Sequence, residues 1–205
     1  MNAKDPGASL PLVESFYTIQ GEGFHTGKPA YFVRIGGCDV GCSWCDTKFS
    51  WDPTLHPEVD VREIIRRIRQ TPASSVVVTG GEPMMFNLDL FCNILKEDGF
   101  QLFLETSGAH PMTGTWDWIC LSPKPGAPPL EAYLLSANEL KVIIQTRADF
   151  SWAETCRERV HPDCLCFLQP EWSQFEKIIP DIVAYVKSHP GWMVSLQAHK
   201  FMHIP

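Results

Sequence analysis

The sequence predicts an α/β protein whose strands form an incomplete, curved parallel β/α barrel. Three observations carry this. Seven short apolar runs, many of them rich in β-branched residues, recur at residues 30–35, 75–78, 101–104, 118–121, 140–144, 164–168 and 192–196. Runs of that length suit strands buried on both faces, as parallel sheets require. Helical patterns lie between several of them, and this alternation implies right-handed βαβ units. The chain has 205 residues, short of the ~250 of a full eight-unit barrel.

Each helical pattern is local. Val61, Ile64, Ile65 and Ile68 fall at i, i+3, i+4 and i+7, with Arg66, Arg67 and Arg69 on the other face. Leu88, Phe91, Ile94 and Leu95 mark a second helix that closes near Gly99. Residues 175–186 mark a third, which Pro180 is expected to kink or restart. Two crossovers read as poor in helix: residues 107–115, rich in Gly, Pro and Thr, and residues 123–129, with prolines at 123, 125, 128 and 129. No repeat or low-complexity segment divides the chain, so residues 1–205 read as one domain.

Composition narrows the function. With 17 basic and 24 acidic residues the net charge is −7, so no global basic surface exists for nucleic acid. No apolar stretch approaches the ~20 residues of a membrane span. Residues 1–10 lack a basic segment followed by an apolar run, so a cytoplasmic protein is expected and no secretory signal. In that reducing setting clustered thiols point to metal or catalysis rather than disulfides.

Such a cluster is present. Cys38, Cys42 and Cys45 stand in the spacing C-x3-C-x2-C. A tetrahedral zinc or a 4Fe-4S cluster takes four ligands, and this loop offers three. Three thiolates can hold a 4Fe-4S cluster and leave one iron open to a small molecule. Cys92, Cys120, Cys156, Cys164 and Cys166 read as small core residues, with a fourth cluster ligand among them as the alternative. The loop follows the 30–35 strand directly. Thr79-Gly80-Gly81-Glu82-Pro83, Glu105-Thr106-Ser107-Gly108 and Ser122-Pro123-Lys124 each follow a later strand. In parallel α/β sheets ligands gather at these strand ends, so the motifs are expected to converge on one rim.

The cysteine loop with Trp44 before Cys45, and Gly80-Gly81-Glu82 after the next strand, resemble the radical S-adenosylmethionine (SAM) superfamily. Residues 17–23 (Tyr-Thr-Ile-Gln-Gly-Glu-Gly), Cys45-Asp46-Thr47, residues 79–83, residues 122–124 and the tail 197–205 resemble one branch of it over nearly the whole chain. That resemblance implies a 4Fe-4S cluster, SAM and Mg2+ as cofactors, in a partial barrel of the radical SAM type. It implies a lyase that abstracts hydrogen from C6 of 6-carboxy-5,6,7,8-tetrahydropterin. The ring then contracts with loss of ammonia to 7-carboxy-7-deazaguanine, on the way to queuosine in tRNA. A flavodoxin or ferredoxin is the implied electron donor and a homodimer the implied assembly, with Trp152, Trp172 and Trp192 as interface or core. Two alternatives stay open: an activase of a glycyl-radical enzyme, and a non-catalytic iron–sulfur or zinc module.

The resemblance also implies residue roles. Cys38, Cys42 and Cys45 ligate the cluster, and Thr47 offers its hydroxyl to Mg2+ or caps the loop, with Asp46 as the alternative ligand or an indirect contributor. Ile19, Gln20, Gly21 and Glu22 meet the pterin edge, or form a glycine turn between strands. Arg34, on one strand face with Phe32, takes the substrate carboxylate or a structural salt bridge. Thr79 touches substrate, as do His199 and Pro205, the latter through a terminal carboxylate. Trp44, Cys45, Asp46, Gly80, Gly81, Ser122, Pro123, Lys124, Gln169 and Pro170 contact SAM. Glu82 either binds its amine or braces the turn.

Overall fold

The computed structural model describes residues 7–205. They form one nine-stranded sheet, with helices on its outer side. The strands are β1 (Ser9–Ile19), β2 (Pro29–Ile35), β3 (Glu58–Asp60), β4 (Ser75–Gly80), β5 (Gln101–Thr106), β6 (Trp118–Leu121), β7 (Glu139–Ile144), β8 (Leu165–Pro170) and β9 (Trp192–Val194). Their spatial order is β3-β1-β2-β4-β5-β6-β7-β8-β9, an open sheet rather than a closed barrel. From β2 through β9 neighbours run parallel.

The other edge departs from the sequence reading. β1 and β3 are not among the seven runs, and β1 pairs antiparallel with both β2 and β3. Polar residues Glu14, Ser15 and Thr18 interrupt the apolar pattern of β1, and three-residue β3 is too short to show a period. The sheet is therefore mixed, with a parallel body and an antiparallel border.

Six α-helices are present among the described residues: α1 (Val61–Arg69), α2 (Asp89–Glu97), α3 (Glu131–Ser136), α4 (Asp149–Arg157), α5 (Phe175–Ser188) and α6 (Ala198–Met202). In α1 all four patterned apolar residues are buried. The Asp60 carboxylate caps it by accepting from Arg62 N at 2.7 Å, and Arg66, Arg67 and Arg69 sit in the last turn, where they complement the helix dipole. Gly99, at φ +85°, follows the end of α2 as expected. Pro180 does not divide α5, which runs unbroken over 14 residues. The proline stands on the exposed face, where water satisfies the carbonyl that lost its donor. Short helices α3 and α4 escaped the periodicity test, since neither carries a long apolar stripe.

Period-two alternation gives the parallel strands two different faces. Val76, Val78, Leu102, Leu104, Ile119, Leu121, Leu140, Val142, Ile144 and Leu168 point outward into one continuous core beneath the helices. Alternate residues point inward. A small inner layer of Ala30, Val77 and Phe103 closes the lower part, where His25 stacks on Phe103 and Phe24 on Trp118. Above that layer the inward positions are Arg34, Thr79, Glu105, Lys141 and Gln169, all lining one cavity. No helix of the described residues is long and apolar enough to cross a membrane.

Gly80 fixes the rim where β2 and β4 end in register, Ile35 opposite Gly80. It has φ +148°, and an added Cβ would lie 2.1 Å from the Ile35 carbonyl oxygen. Gly80→Ala is expected to cost about 3 kcal/mol. Thermal unfolding monitored by circular dichroism should show Tm lowered by about 6–12 °C for a chain of this size.

Candidate functional site

The C-terminal strand ends enclose a cavity of about 450 Å³, within the usual range for small-molecule sites. All of the sequence-predicted site residues line it except one. Pro123 does not; its carbonyl instead accepts from Trp152 Nε1 at 3.4 Å. Its ring has no polar group to offer a ligand, so its place is in the support of the Ser122–Lys124 turn.

The cysteine loop is held by backbone bonds. Gly37 N donates to Ser50 O at 2.7 Å and Cys38 N to Trp51 O at 3.0 Å. Gly81 packs so tightly on it that a Cβ would lie 2.2 Å from Gly37 O and 2.8 Å from Cys38 Cβ. The Gly81 amide is itself spent on Ile35 O, at 3.0 Å. Cys38, Cys42 and Cys45 all face the cavity as free, partly buried thiols. Burial pushes the Cys38 and Cys42 thiols up, opposed at Cys42 by the nearby Lys124 ammonium. Cys92, Cys120, Cys156, Cys164 and Cys166 are buried and none lines the cavity. The donor set therefore fits a cluster held by three thiolates from one loop. No three Cys, His, Asp or Glu side chains of the described residues converge on a single metal ion.

Beside the thiols, Lys124 Nζ lies 5.5 Å from the Trp44 ring centroid and donates to Ser122 Oγ at 2.8 Å. Burial depresses its pKa. Thr47 Oγ1 is 3.4 Å from Cys45 Sγ. Asp46 accepts from Lys200 Nζ at 2.9 Å and Gln197 Nε2 at 3.3 Å.

Glu82 is a brace. It is 1% exposed. Its two oxygens accept from Thr106 Oγ1 at 2.6 Å, Ser107 N at 2.8 Å, Met84 N at 3.0 Å and Ser107 Oγ. Those four bonds fill the carboxylate's capacity and tie the β4 turn to the β5 turn. Gln169 lines the same cavity. Its Oε1 accepts from Ser195 Oγ at 2.7 Å.

The floor carries the charge. Glu22 Oε2 accepts from Lys141 Nζ at 2.7 Å, and Glu105 Oε2 accepts from the same nitrogen at 2.8 Å. Glu22 Oε1 accepts from Gln197 Nε2 at 2.9 Å. Burial works against the Glu22 carboxylate, but Lys141 and the hydrogen bonds from Lys141, Gln197 and Gln169 outweigh it and hold the pKa at about 2. Gly21 lets the tail approach: an added Cβ would sit 2.3 Å from His199 Nδ1, and Gly21 O accepts from Ala198 N at 2.8 Å. Burial depresses the His199 pKa. Thr18 Oγ1 donates to Pro205 O at 3.3 Å, and Ile19 and Pro205 both line the cavity.

Arg34 uses Nε on Glu14 Oε1 at 2.7 Å. This salt bridge was one of its two expected partners. It leaves the two terminal nitrogens of the guanidinium without another partner among the described residues, and the side chain lines the cavity with Phe16 and Phe32, whose rings stack at 5.8 Å.

Lys141, Glu105 and Gln197 were given no role from sequence. Lys141 had a readable signal, a cation in the middle of an apolar central strand. Gln197 had none, because only folding brings the tail over Glu22. Trp192 is 2% exposed and belongs to the core, Trp152 is partly buried against it, and Trp172 is exposed.

Three loop thiols at the C-terminal rim of a partial β/α barrel define a radical SAM enzyme. The profile of the Radical SAM superfamily matches residues 32–146. A 7-carboxy-7-deazaguanine synthase of Flavobacterium psychrophilum is 51% identical over 204 residues, covering 99% of this chain and 96% of the relative. That of Synechocystis is 46% identical over 196 residues, covering 96% and 94%. A crystal structure of QueE from Escherichia coli superposes with a TM-score of 0.81 at 30% identity, covering 93% of this chain and 95% of that one. The chain belongs to the 7-carboxy-7-deazaguanine synthase family of the radical SAM superfamily. Its cofactors are a 4Fe-4S cluster and SAM.

Two outcomes test the site. Cys42→Ala should abolish the ~400 nm absorbance of an anaerobically reconstituted cluster and also SAM cleavage; retention of both would remove the loop from the cluster. For Glu22, a folded pKa below the unfolded 4.5 means its stabilisation is complete above about pH 4.5 and lost as pH falls towards 2. Urea unfolding should show Glu22→Gln less stable than wild type by roughly 1–3 kcal/mol at pH 7, with the gap shrinking below pH 4.5.

Proposed function

We propose that this chain, as a single domain, converts 6-carboxy-5,6,7,8-tetrahydropterin to 7-carboxy-7-deazaguanine with loss of ammonia. The observation that carries this is one cavity combining three loop thiols at its rim, an acidic floor and an arginine wall. The bound cluster and SAM supply one-electron reduction and hydrogen abstraction at C6. Everything else falls to the protein's own side chains.

Arg34 presents its terminal nitrogens to the substrate carboxylate as a bidentate pair. Gln20 and Glu22 accept from the amino and amide edge, and Thr79, His199, Ile19 and Pro205 close the ring in. Phe16 and Phe32 exclude water beside Arg34. Trp44, Asp46 and the backbone at Gly80 and Gly81 flank SAM, with Ser122 and Lys124 near its polar end. Glu82 holds Thr106 and Ser107 in place beneath it. The Thr47 hydroxyl offers Mg2+ a hard oxygen ligand. The family resemblance supports a flavodoxin or ferredoxin as electron donor, and a homodimer.

The test is anaerobic reconstitution followed by incubation with the pterin, SAM and dithionite. Product mass and released ammonia should match ring contraction; SAM cleavage without either product would overturn the assignment. Arg34→Met should raise KM for the pterin about 10- to 100-fold, the loss of a charge-assisted bidentate pair. Removing the carboxylate from the substrate should have a similar effect on wild type.

A further inference from the structure

We propose that Lys141 is a positioning residue that sets ligand specificity. Its ammonium holds the Glu22 and Glu105 carboxylates side by side on the cavity floor, where together they accept from the adjacent N–H donors of a 2-amino-4-oxo pyrimidine edge. The inference rests on the pterin reading above and names how that substrate is told from its 2-oxo analogue.

Lys141 stands in the middle of β7, 4% exposed, between outward-facing Leu140 and Val142. Glu22 comes from the loop after β1 and Glu105 from β5, so one cation joins two carboxylates from distant parts of the chain. Two carboxylates and one ammonium leave the floor one charge negative. The other oxygen of Glu105 accepts from Gln20 Nε2 at 3.3 Å, as that of Glu22 does from Gln197. Each carboxylate has about four acceptor sites and no donor, so both keep capacity for incoming N–H groups. A ligand carbonyl at the same place would face two anions.

The surrounding titratable groups do not replace Lys141. Glu139 faces the layer below; it accepts from Phe24 N and Trp118 Nε1, and burial raises its pKa. Burial also raises the Cys120 thiol well above its ordinary value. Lys124 is pinned on Ser122, and burial lowers His199. At Lys141 itself burial opposes the charge, but the neighbouring carboxylates of Glu105, Glu22 and Glu139 outweigh it and raise the pKa well above the usual lysine value. Without the ammonium, two desolvated carboxylates in one place cannot both stay ionised, and one takes up a proton. A protonated carboxyl donates as well as accepts, so it tolerates a carbonyl where the amino group belongs.

The experiment is equilibrium dialysis of the SAM-loaded holoenzyme without reductant, at pH 6 to 9. The probes are 6-carboxytetrahydropterin and its 2-oxo counterpart, 6-carboxytetrahydrolumazine. Wild type should prefer the 2-amino ligand by about 10- to 100-fold at every pH. Lys141→Met should lose most of that preference at pH 6 and regain part of it by pH 9, as the shared proton leaves. Lys141→Arg should keep it. A Lys141→Met protein with wild-type preference and a flat profile overturns the inference. If circular dichroism shows that this variant does not fold, Glu105→Gln carries the test, since Lys141 keeps Glu22. Its amide both donates and accepts, so the preference should fall at every pH, and an unchanged preference is fatal. Wild type that binds both ligands equally sinks the inference alone; wild type that binds neither sinks the pterin reading and the inference with it.

Discussion

Strand alternation is the constraint on which the rest of this molecule depends. Each strand of the parallel body shows an apolar side chain to the helices and the next one to the concave side. Outward, the valines, leucines and isoleucines of β4 to β8 make one continuous core. Inward, the same strands carry Arg34, Thr79, Glu105, Lys141 and Gln169 to a common level. A one-residue slip of any of these strands would bury its polar residue under a helix and turn an apolar side chain into the cavity. Stability and binding chemistry therefore specify the same register.

The inner face of a half-closed barrel is too wide to fill itself. Below, Phe24 and His25 from the loop after β1 stack on Trp118 and Phe103 and close the gap. Above, the space stays open and polar. The charges there are paired across distant segments: Lys141 with Glu22 and Glu105, Arg34 with Glu14, Asp46 with Lys200. Of these only the Lys141 pairs are buried; such pairs are weak sources of net stability, and removing one partner is costly. Their effect here is positional: they tie the loop after β1 to β7, β5 to β7, β1 to β2, and the cysteine loop to the tail.

Close approach is the second structural device. Gly81 admits the cysteine loop against β4, and Gly21 admits α6 against the loop after β1. Neither glycine is needed for a turn of positive φ; each is needed because backbone or a ring stands where a Cβ would be. Glu82 then ties the β4 and β5 turns together from beneath, so the rim that carries the thiols rests on bonded neighbours rather than on a mobile loop.

The chain's own residue order determined the fold class, the parallel strands, the amphipathic helices α1 and α2 and the meeting of four motifs at one rim. Those features rest on local periodicity and on the rule that parallel strands end together, both of which are properties of neighbouring residues. Tertiary structure alone decided the antiparallel border, since β1 and β3 have no clean period, and the unbroken course of α5 through Pro180. It also decided partners: Glu82 as a brace, Gln169 on Ser195, Gln197 on Glu22, Arg34 on Glu14, Pro123 away from the cavity. These partners come from other segments of the chain, 20 residues apart for Arg34 and Glu14 and 175 for Gln197 and Glu22, and no local pattern encodes which of them will meet.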